Sequence, residues 1–558
     1  MREGEQSAQR LLDSLAQPDG ETLRRLRSIY GPHSFIVEDR LKLIRRVLFR
    51  FLERFGSRPV RLFRSPGRIN LRGMHVDTHG GWLNLMTHQR EAVFALAANN
   101  DDSVRVANVE SVFDEVAFRI TDQTNHAAFR KGWLDFITAP AIQQKVLQQR
   151  GHWGNYVRGA VLRAQHEFPA APLRGFDGVI GSDVPRGAAL SSSAALLLAL
   201  LHGILERNKL AAPPAAMIKL GKDAEWYSGS RCGHSDQCAM VAGQENQLVH
   251  LALNPLEIDI SDVSRIPWPE DLAVLVINSY TRRSLSGEAM VEYTRNRFAY
   301  SLALEIFRQE MARMGLSKDL AASMKWLSNI RPDAFSSIGG ESVLYELLMK
   351  IPEEIHIEAL RERYALPELD AVYEQYFGAA PETRRPSTIG LRGPLLFGIA
   401  ESERAHYFAS SIQAGDFDEA GQLMTIGHDG DRRVTHDGRP FVFDIGNAAL
   451  LQCRDSAVPI HYCAGAYGAS SPVLDSLVDA AIQGGALGAS LTGGGIAGAI
   501  LALCRPDSVD SVTAKVRAQL EGLRYQQRAG RDAPLTRDEL DGAIVRNHAT
   551  AGAGAIFP

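Results

Sequence analysis

The stretch Gly181-Ser-Asp-Val-Pro-Arg-Gly-Ala-Ala-Leu-Ser-Ser-Ser-Ala-Ala-Leu196 decides the fold. It follows a short strand-like run at 176–180 and precedes the apolar run 197–201, which is typical of a buried helix. Small residues let backbone N–H groups approach an anion closely, and the first turn of a helix adds free amide donors. A serine cap on a core helix is the alternative. Three successive serines favour a phosphate-binding loop, and no Gly-Lys-Ser/Thr follows the glycines, which excludes a Walker loop.

The composition is that of an ordinary globular protein. The chain has 558 residues, of which 45% are hydrophobic and 23% charged, and its net charge of −4 gives no sign of a nucleic-acid partner. Its five cysteines lack any Cys-x-x-Cys spacing, which argues against a disulfide scaffold or zinc site. The N-terminus lacks the apolar core of a signal peptide, and no apolar run is long enough to span a bilayer. We therefore expect a soluble, cytoplasmic protein without a membrane partner.

The first half of the chain is predicted to form helices and then strands. Apolar residues recur at helical spacing over 1–57, which we interpret as a helical extension packed on the main body. The segment 65–81 follows a strand-like run and is dense in Gly and polar side chains, so it is either a cluster of turns or a ligand-binding loop. Further strands are predicted at 60–64, 92–98, 103–107, 248–253 and 272–277, and helices at 153–161 and 217–227.

The second half is predicted to be mainly helical up to about residue 425 and loop-rich over 427–467. The loop-rich segment carries two His-Asp-Gly repeats, beginning at His428 and His436, which we interpret as turns rather than as a metal site. The segment 484–503 indicates a strand, a glycine turn and a second strand. Three successive glycines at its turn permit positive φ and close approach of another segment or a ligand.

Three glycine-rich motifs in this order resemble the GHMP kinases, and most of all their galactokinase branch. They are residues 66–81, 185–195 and 491–499, and 155–159 also resembles a galactokinase segment. Ala189 stands where the second motif usually has glycine. The similarity runs from about 60 to 505, with unmatched insertions near 110–150, 315–390 and 428–467.

The resemblance implies an α+β, two-lobed kinase with its active site between the lobes. The N-terminal lobe would be of the ribosomal protein S5 domain 2-like type and the C-terminal lobe ferredoxin-like-derived. We expect the helical extension at 1–57, the ATP-binding lobe at 58–265 and the C-terminal lobe at 266–558, with the boundary near the Pro-rich 266–269.

The resemblance also implies the catalytic groups. Asp236, in Cys-Gly-x-x-Asp-Gln, is the candidate base, and Arg68 would hold it ionised and contact the γ-phosphate. Glu225 with a hydroxyl of Ser192 or Ser193 would complete a Mg²⁺ site. The ATP phosphates would lie on Pro185, Arg186, Gly187, Ala188, Ala189, Leu190, Ser191, Ser192, Ser193 and Ala194.

The first motif would recognise a sugar. His75 and Asp77 match family positions that hold sugar hydroxyls, and Gly233 would leave room for the ring. Tyr293 lies in a segment resembling a galactokinase one, although a core tyrosine is equally compatible. Met74 stands where galactokinases have a Glu that meets the C6 hydroxyl.

Several functions fit these motifs. The first is an ATP-dependent kinase acting on the anomeric (C1) hydroxyl of a galactose-configured sugar. Met74 favours a sugar without the C6 hydroxyl, such as arabinose or galacturonate, and Arg72 would then either bind the uronate carboxylate or point to solvent. A catalytically silent sugar and ATP sensor is disfavoured because the base, metal carboxylate and phosphate loop are all present. A mevalonate or homoserine kinase is disfavoured by the pair His75 and Asp77. The sequence leaves the oligomeric state open.

Overall fold

The computed structural model describes residues 6–149, 151–230, 232–254, 258–281, 288–378 and 381–557. Its strands are β1 (Gln6–Ser7), β2 (Pro59–Arg72), β3 (Trp82–Ala98), β4 (Ser103–Asn108), β5 (Val116–Arg119), β6 (Phe176–Ser182), β7 (Gln247–Ala252), β8 (Ser264–Pro267), β9 (Ala273–Asn278), β10 (Glu354–His356), β11 (Thr388–Gly390), β12 (Gly488–Leu491), β13 (Ala499–Cys504), β14 (Ile544–Arg546) and β15 (Gly554–Ala555).

The helices alternate with these strands in the N-terminal half and dominate after β9. They are α1 (Ala8–Ser14), α2 (Gly20–Tyr30), α3 (Ser34–Phe55), α4 (Ile120–Thr124), α5 (Trp133–Thr138), α6 (Pro140–Gln148), α7 (Gly154–Glu167), α8 (Ser192–Arg207), α9 (Pro214–Tyr227), α10 (Ser235–Ala242), α11 (Glu288–Arg313), α12 (Lys318–Ser323), α13 (Glu341–Lys350), α14 (Ile357–Arg363), α15 (Leu369–Phe377), α16 (Arg392–Ala414), α17 (Phe417–Asp429), α18 (Asn447–Asp455), α19 (Pro472–Gln483), α20 (Val509–Glu521), α21 (Leu523–Arg528) and α22 (Arg537–Ala543).

A large mixed sheet forms the N-terminal half. Its main path runs β1-β2-β3-β6-β4-β5, with β15 beside β2 and the pair β7-β8 beside β3. All its pairs are antiparallel except β4 with β6. The strands predicted at 60–64, 92–98, 103–107 and 248–253 all lie in this sheet, which confirms them.

Both faces of this sheet are covered by helices. Along β3, Val93 and Ala95 pack in one core cluster with α1–α3, whereas Phe94 and Leu96 pack in another with α7–α9. The alternation follows from the two-residue period of a strand. The helical extension predicted to pack on the main body therefore forms a layer on one face of this sheet.

A second, antiparallel sheet of order β12-β13-β9-β14 forms the C-terminal half, and β10 pairs with β11. The predicted strand, glycine turn and strand at 484–503 are confirmed as β12, its turn and β13. The chain crosses between the two large sheets after β8, and its last strand, β15, returns to pair with β2.

Two sequence interpretations are corrected here. Residues 65–72 are the continuation of β2 and not a loop, and the loop is confined to 73–81. The pairing of β2 with β3 shifts register near Pro66 and Asn70, and such bulges redirect side chains out of the ladder. The first His-Asp-Gly repeat is the end of α17, where the buried His428 contacts Asp475 at 3.1 Å.

Neither a metal-binding cluster nor a membrane-spanning helix is found in the part of the chain that is described. No group of three His, Cys, Asp or Glu side chains is placed to hold a metal ion. No helix there is long and apolar enough to cross a membrane.

The fold predicts sensitivity to acid. Burial lowers the pKa of His79 to about 3 and that of His88, His202, His250, His461 and His548 to about 4. In the unfolded chain these imidazoles bind protons near pH 6.5, so the unfolded state binds more protons below that pH. The free energy of unfolding should therefore fall as the pH falls from about 6.5 to about 4.

Urea unfolding at several pH values within this window measures the effect. His202→Leu should reduce the pH dependence by about 1.4 kcal/mol per pH unit, the value for one proton. The matched control is His436→Leu, because that side chain is exposed. An unfolding free energy that does not change over this window would contradict the prediction.

Candidate active site

The predicted phosphate loop joins β6 to the first turn of α8. Gly187, Ala189 and Ser191 have φ values of 75°, 57° and 58°, so every second residue of this part of the loop has a left-handed backbone conformation. Helix α8 begins at Ser192, and Ser192 and Ser193 of its first turn, whose backbone N–H groups have no partner within the helix, line a cavity. A Cβ at Gly493 or Gly498 of the glycine turn would lie only 3.0 or 2.9 Å from the Ala189 Cβ. Glycine is therefore needed where the two loops pack together.

Asp236, in the first turn of α10, lines this cavity. Its Oδ1 accepts hydrogen bonds from Arg68 Nε at 2.8 Å and pairs with Arg68 Nη2 at 2.7 Å. Its Oδ2 accepts the hydroxyl of Ser191. Arg68 Nη1 also donates to the Ala189 carbonyl at 2.5 Å. One carboxylate is thus held by β2 and by the phosphate loop.

Glu225 forms a second acidic centre at the end of α9. Its carboxylate accepts hydrogen bonds from Ser193 Oγ at 2.7 Å and Gln237 Nε2 at 2.9 Å. Burial, and next the negative charge of Asp236, raise the pKa of Glu225 to about 7. Ser192 lines the cavity, but the hydroxyl that contacts Glu225 is that of Ser193.

The loop 73–81 brings a second set of polar groups beside Asp236. Asp77 Oδ2 accepts the Ser235 hydroxyl at 2.8 Å, and a Cβ at Gly233 would overlap this carboxylate. The His75 ring stacks on Tyr467 with centroids 4.5 Å apart and meets the edge of Tyr293 at 6.0 Å.

These groups share one cavity of about 1680 Å³ between the two halves of the molecule. The predicted site residues that line it are Arg68, His75, Asp77, Pro185, Arg186, Gly187, Ala189, Leu190, Ser191, Ser192, Ser193, Glu225, Gly233, Asp236 and Tyr293. Ala188 and Ala194 are buried behind the loop instead.

Comparison with known sequences identifies this arrangement. The family model "GHMP kinases N terminal domain" matches residues 155–244, and "GHMP kinases C terminal" matches 444–522. The model "Galactokinase galactose-binding signature" matches 50–98.

The chain belongs to the GHMP kinase family, on its galactokinase branch.

Comparisons with whole proteins agree with these matches to family models. A galactokinase of Chloroflexus aurantiacus is 27% identical over 488 residues, which cover 86% of this kinase and 92% of the relative. One of Bos taurus is 26% identical, covering 85% and 91%. The crystal structure of Lactococcus lactis galactokinase complexed with galactose aligns with a TM-score of 0.57 at 20% identity, covering 90% and 97%. The predicted α+β GHMP kinase fold is confirmed.

Arg72 and Met74 do not occupy the predicted positions in the sugar site of this kinase. Both are buried outside the cavity wall. The Arg72 guanidinium lies 3.4 Å from Glu401 Oε2, and the backbone N–H groups of Gly73 and Met74 donate to Glu401 Oε1 at 2.8 and 3.0 Å. Glu401 also pairs with the buried Arg404. Arg72 therefore anchors the loop, and it neither binds a sugar carboxylate nor points to solvent.

Some residues of the site were missed from the sequence. Tyr467 and Arg297 line the cavity, and the buried Asp431 places its Oδ1 3.6 Å from His75 Nε2. Burial raises the pKa of Asp431 well above its usual value. Asp431 and Tyr467 both lie in the segment 428–467, which is predicted from the sequence to be an insertion although the C-terminal family model covers it from residue 444. No motif spacing connected them to His75.

From the buried charge cluster of Arg72, Glu401 and Arg404, we predict that Glu401→Gln strongly destabilises the protein. The change would leave Arg72 and Arg404 as buried cations without their carboxylate, which typically costs about 3–5 kcal/mol. Urea unfolding would measure the loss. In the control Glu403→Gln, the affected partner, Arg331, is partly exposed, and the loss should be less than half as large. Equal losses in the two variants would contradict this role of Glu401.

Proposed function

We propose that this kinase transfers the γ-phosphoryl group of ATP to the anomeric (C1) hydroxyl of a galactose-configured monosaccharide. The observation that carries the proposal is the position of Asp236, between the phosphate loop at Ser191 and the loop of His75 and Asp77. The galactokinase names of the relatives and the galactose-binding signature support the choice of sugar.

Asp236 acts as the general base. Among the described residues, its Oδ2 accepts one hydrogen bond, from Ser191, and an oxygen with two lone pairs has room for the substrate hydroxyl. As the sugar oxygen forms its bond to the γ-phosphorus, the hydroxyl proton passes to Asp236 and the bond from phosphorus to ADP breaks. Arg68 holds the carboxylate in position and brings positive charge to the phosphate loop.

The acidic centre at Glu225 fits a magnesium ion. A buried carboxyl whose charged form is disfavoured gains a partner from a hard cation, and the Ser193 hydroxyl beside it supplies a second oxygen. Ser192 lies next to them on the cavity wall. When bound, the ion would neutralise charge on the phosphate oxygens.

Asp77, His75 and Tyr293 hold the sugar. The Asp77 carboxylate is fixed by Ser235 and suits two neighbouring sugar hydroxyls, while the absence of a Cβ at Gly233 leaves space beside it. Tyr467 and Asp431 keep the His75 ring in one orientation. The sugar is therefore positioned by groups from both halves of the molecule.

We also propose a division at residue 265 and a cytoplasmic location. The chain leaves the first sheet where β8 ends, at Pro267, and enters the second sheet where β9 begins, at Ala273, so the crossing lies a few residues beyond the proposed division. The five free cysteines suit a reducing compartment.

The first test is Asp236→Asn. Loss of the base should lower kcat with galactose and ATP by about 10²–10⁴-fold, while the affinity for ATP, measured by calorimetry, changes little. Asp437→Asn is the control, because Asp437 is an exposed carboxylate in a turn. An Asp236→Asn enzyme with near-normal kcat would remove this residue from the mechanism.

The second test concerns the metal. Glu225→Gln removes the proposed ligand charge but keeps the side-chain volume, so half-maximal activity should need at least about tenfold more Mg²⁺. Titration of Mg²⁺ at saturating ATP measures this shift. Ser193→Ala should shift the requirement in the same direction by less, because it removes a neutral ligand. An unchanged requirement in Glu225→Gln would place the metal elsewhere.

A further inference from the structure

The arginines on the cavity wall differ in their partners. Among the described residues there are four, and three of them pair with carboxylates. Arg68 pairs with Asp236 at 2.7 Å, Arg186 with Glu110 at 3.4 Å and Arg531 with Glu539 at 3.0 Å. The fourth, Arg297, forms no ion pair or hydrogen bond with any residue that the structure describes.

Arg297 belongs to the sugar end of the cavity. It projects from α11 and lies 5.9 Å from the centroid of the Tyr293 ring. Burial and, to a smaller extent, the positive charge of Arg297 together lower the pKa of His79 to about 3. Arg297 is thus close to the loop 73–81, which carries the proposed sugar contacts His75 and Asp77.

The negative charge of Asp77 lies close enough to help raise the pKa of Arg297, but among the described residues no carboxylate forms an ion pair or hydrogen bond with this guanidinium. Removing a cation from water is costly unless hydrogen bonds and an opposite charge compensate. The Tyr293 ring supplies only a weak cation–π contact, and the five N–H donors of a guanidinium match the two oxygens of a carboxylate. The N–H donors of Arg297, which line the cavity without a hydrogen bond to a described residue, therefore suit an anionic group of the substrate.

We infer that Arg297 binds the carboxylate of the substrate, and that the preferred substrate is a hexuronate of galactose configuration rather than galactose. This inference rests on the proposed function, since it places the uronate in the same site. A carboxylate fits better than a phosphate, because the negative charge of Asp77 lies near Arg297 and would oppose a dianion more strongly than a monoanion.

The experiment compares kcat/KM for D-galacturonate, D-galactose and D-galactose 6-phosphate, each with ATP. The wild type should prefer galacturonate over the other two by at least tenfold. Arg297→Met should lower the ratio of galacturonate to galactose by about 10- to 100-fold, the usual effect of one charge-assisted bidentate contact. Arg297→Lys, which keeps the positive charge but cannot bind a carboxylate in a bidentate way, should retain part of the preference for galacturonate.

Arg295→Met is the matched control. Arg295 lies on the same helix but donates to the Thr388 carbonyl at 2.8 Å and does not line the cavity, so its substitution should leave the ratio unchanged. A wild type that prefers galactose tenfold, a preference for the 6-phosphate, or a ratio that Arg297→Met leaves unchanged would overturn the inference.

Calorimetric binding of the same sugars separates this inference from the proposed function. If no sugar is phosphorylated, the proposed function fails. Tighter binding of galacturonate that is lost in Arg297→Met would then still support the role of Arg297. If galactose is phosphorylated and galacturonate does not bind, the proposed function stands and the inference fails.

Discussion

The ion pair between Arg68 and Asp236 joins the elements that form the cavity. Arg68 comes from β2 of the first sheet, Asp236 from the first turn of α10, and the remaining guanidinium donor reaches the Ala189 carbonyl of the phosphate loop. Each contact needs the others, because an unpaired buried charge would destabilise the site. The loop of Asp77 then attaches to the same helix through Ser235. The nucleotide side and the sugar side of the cavity are therefore held together by one carboxylate.

A second buried charge cluster connects this site to the C-terminal half. Glu401 of α16 receives two backbone N–H groups of the sugar loop and lies between Arg72 and Arg404. This geometry explains why the positions of Arg72 and Met74 could not be predicted from the sequence. Their partner is 329 residues away in the chain from Arg72, within a helix that carries no family motif. The sequence showed a charge beside a sugar motif, but it did not show that a carboxylate already neutralised that charge.

The parts that could be predicted are local in sequence. The phosphate loop, the Glu225 helix and the glycine turn each combine composition and order within about 20 residues, which is enough to identify a family and a fold. The parts that could not be predicted depend on packing between distant segments. Asp431 and Tyr467 contact His75 from a distant part of the chain. The difference between Arg297 and the other arginines of the cavity becomes visible only when the partners of all four are known.

The position of phosphate on the product tests the central claim most directly. After incubation of the enzyme with ATP and a galactose-configured sugar, phosphorus NMR with proton coupling reports which carbon bears the new phosphate. Placement of the reacting hydroxyl at Asp236 predicts a sugar 1-phosphate whose phosphorus couples to the anomeric proton. A phosphate on any other carbon, or release of inorganic phosphate without a sugar phosphate, would contradict it.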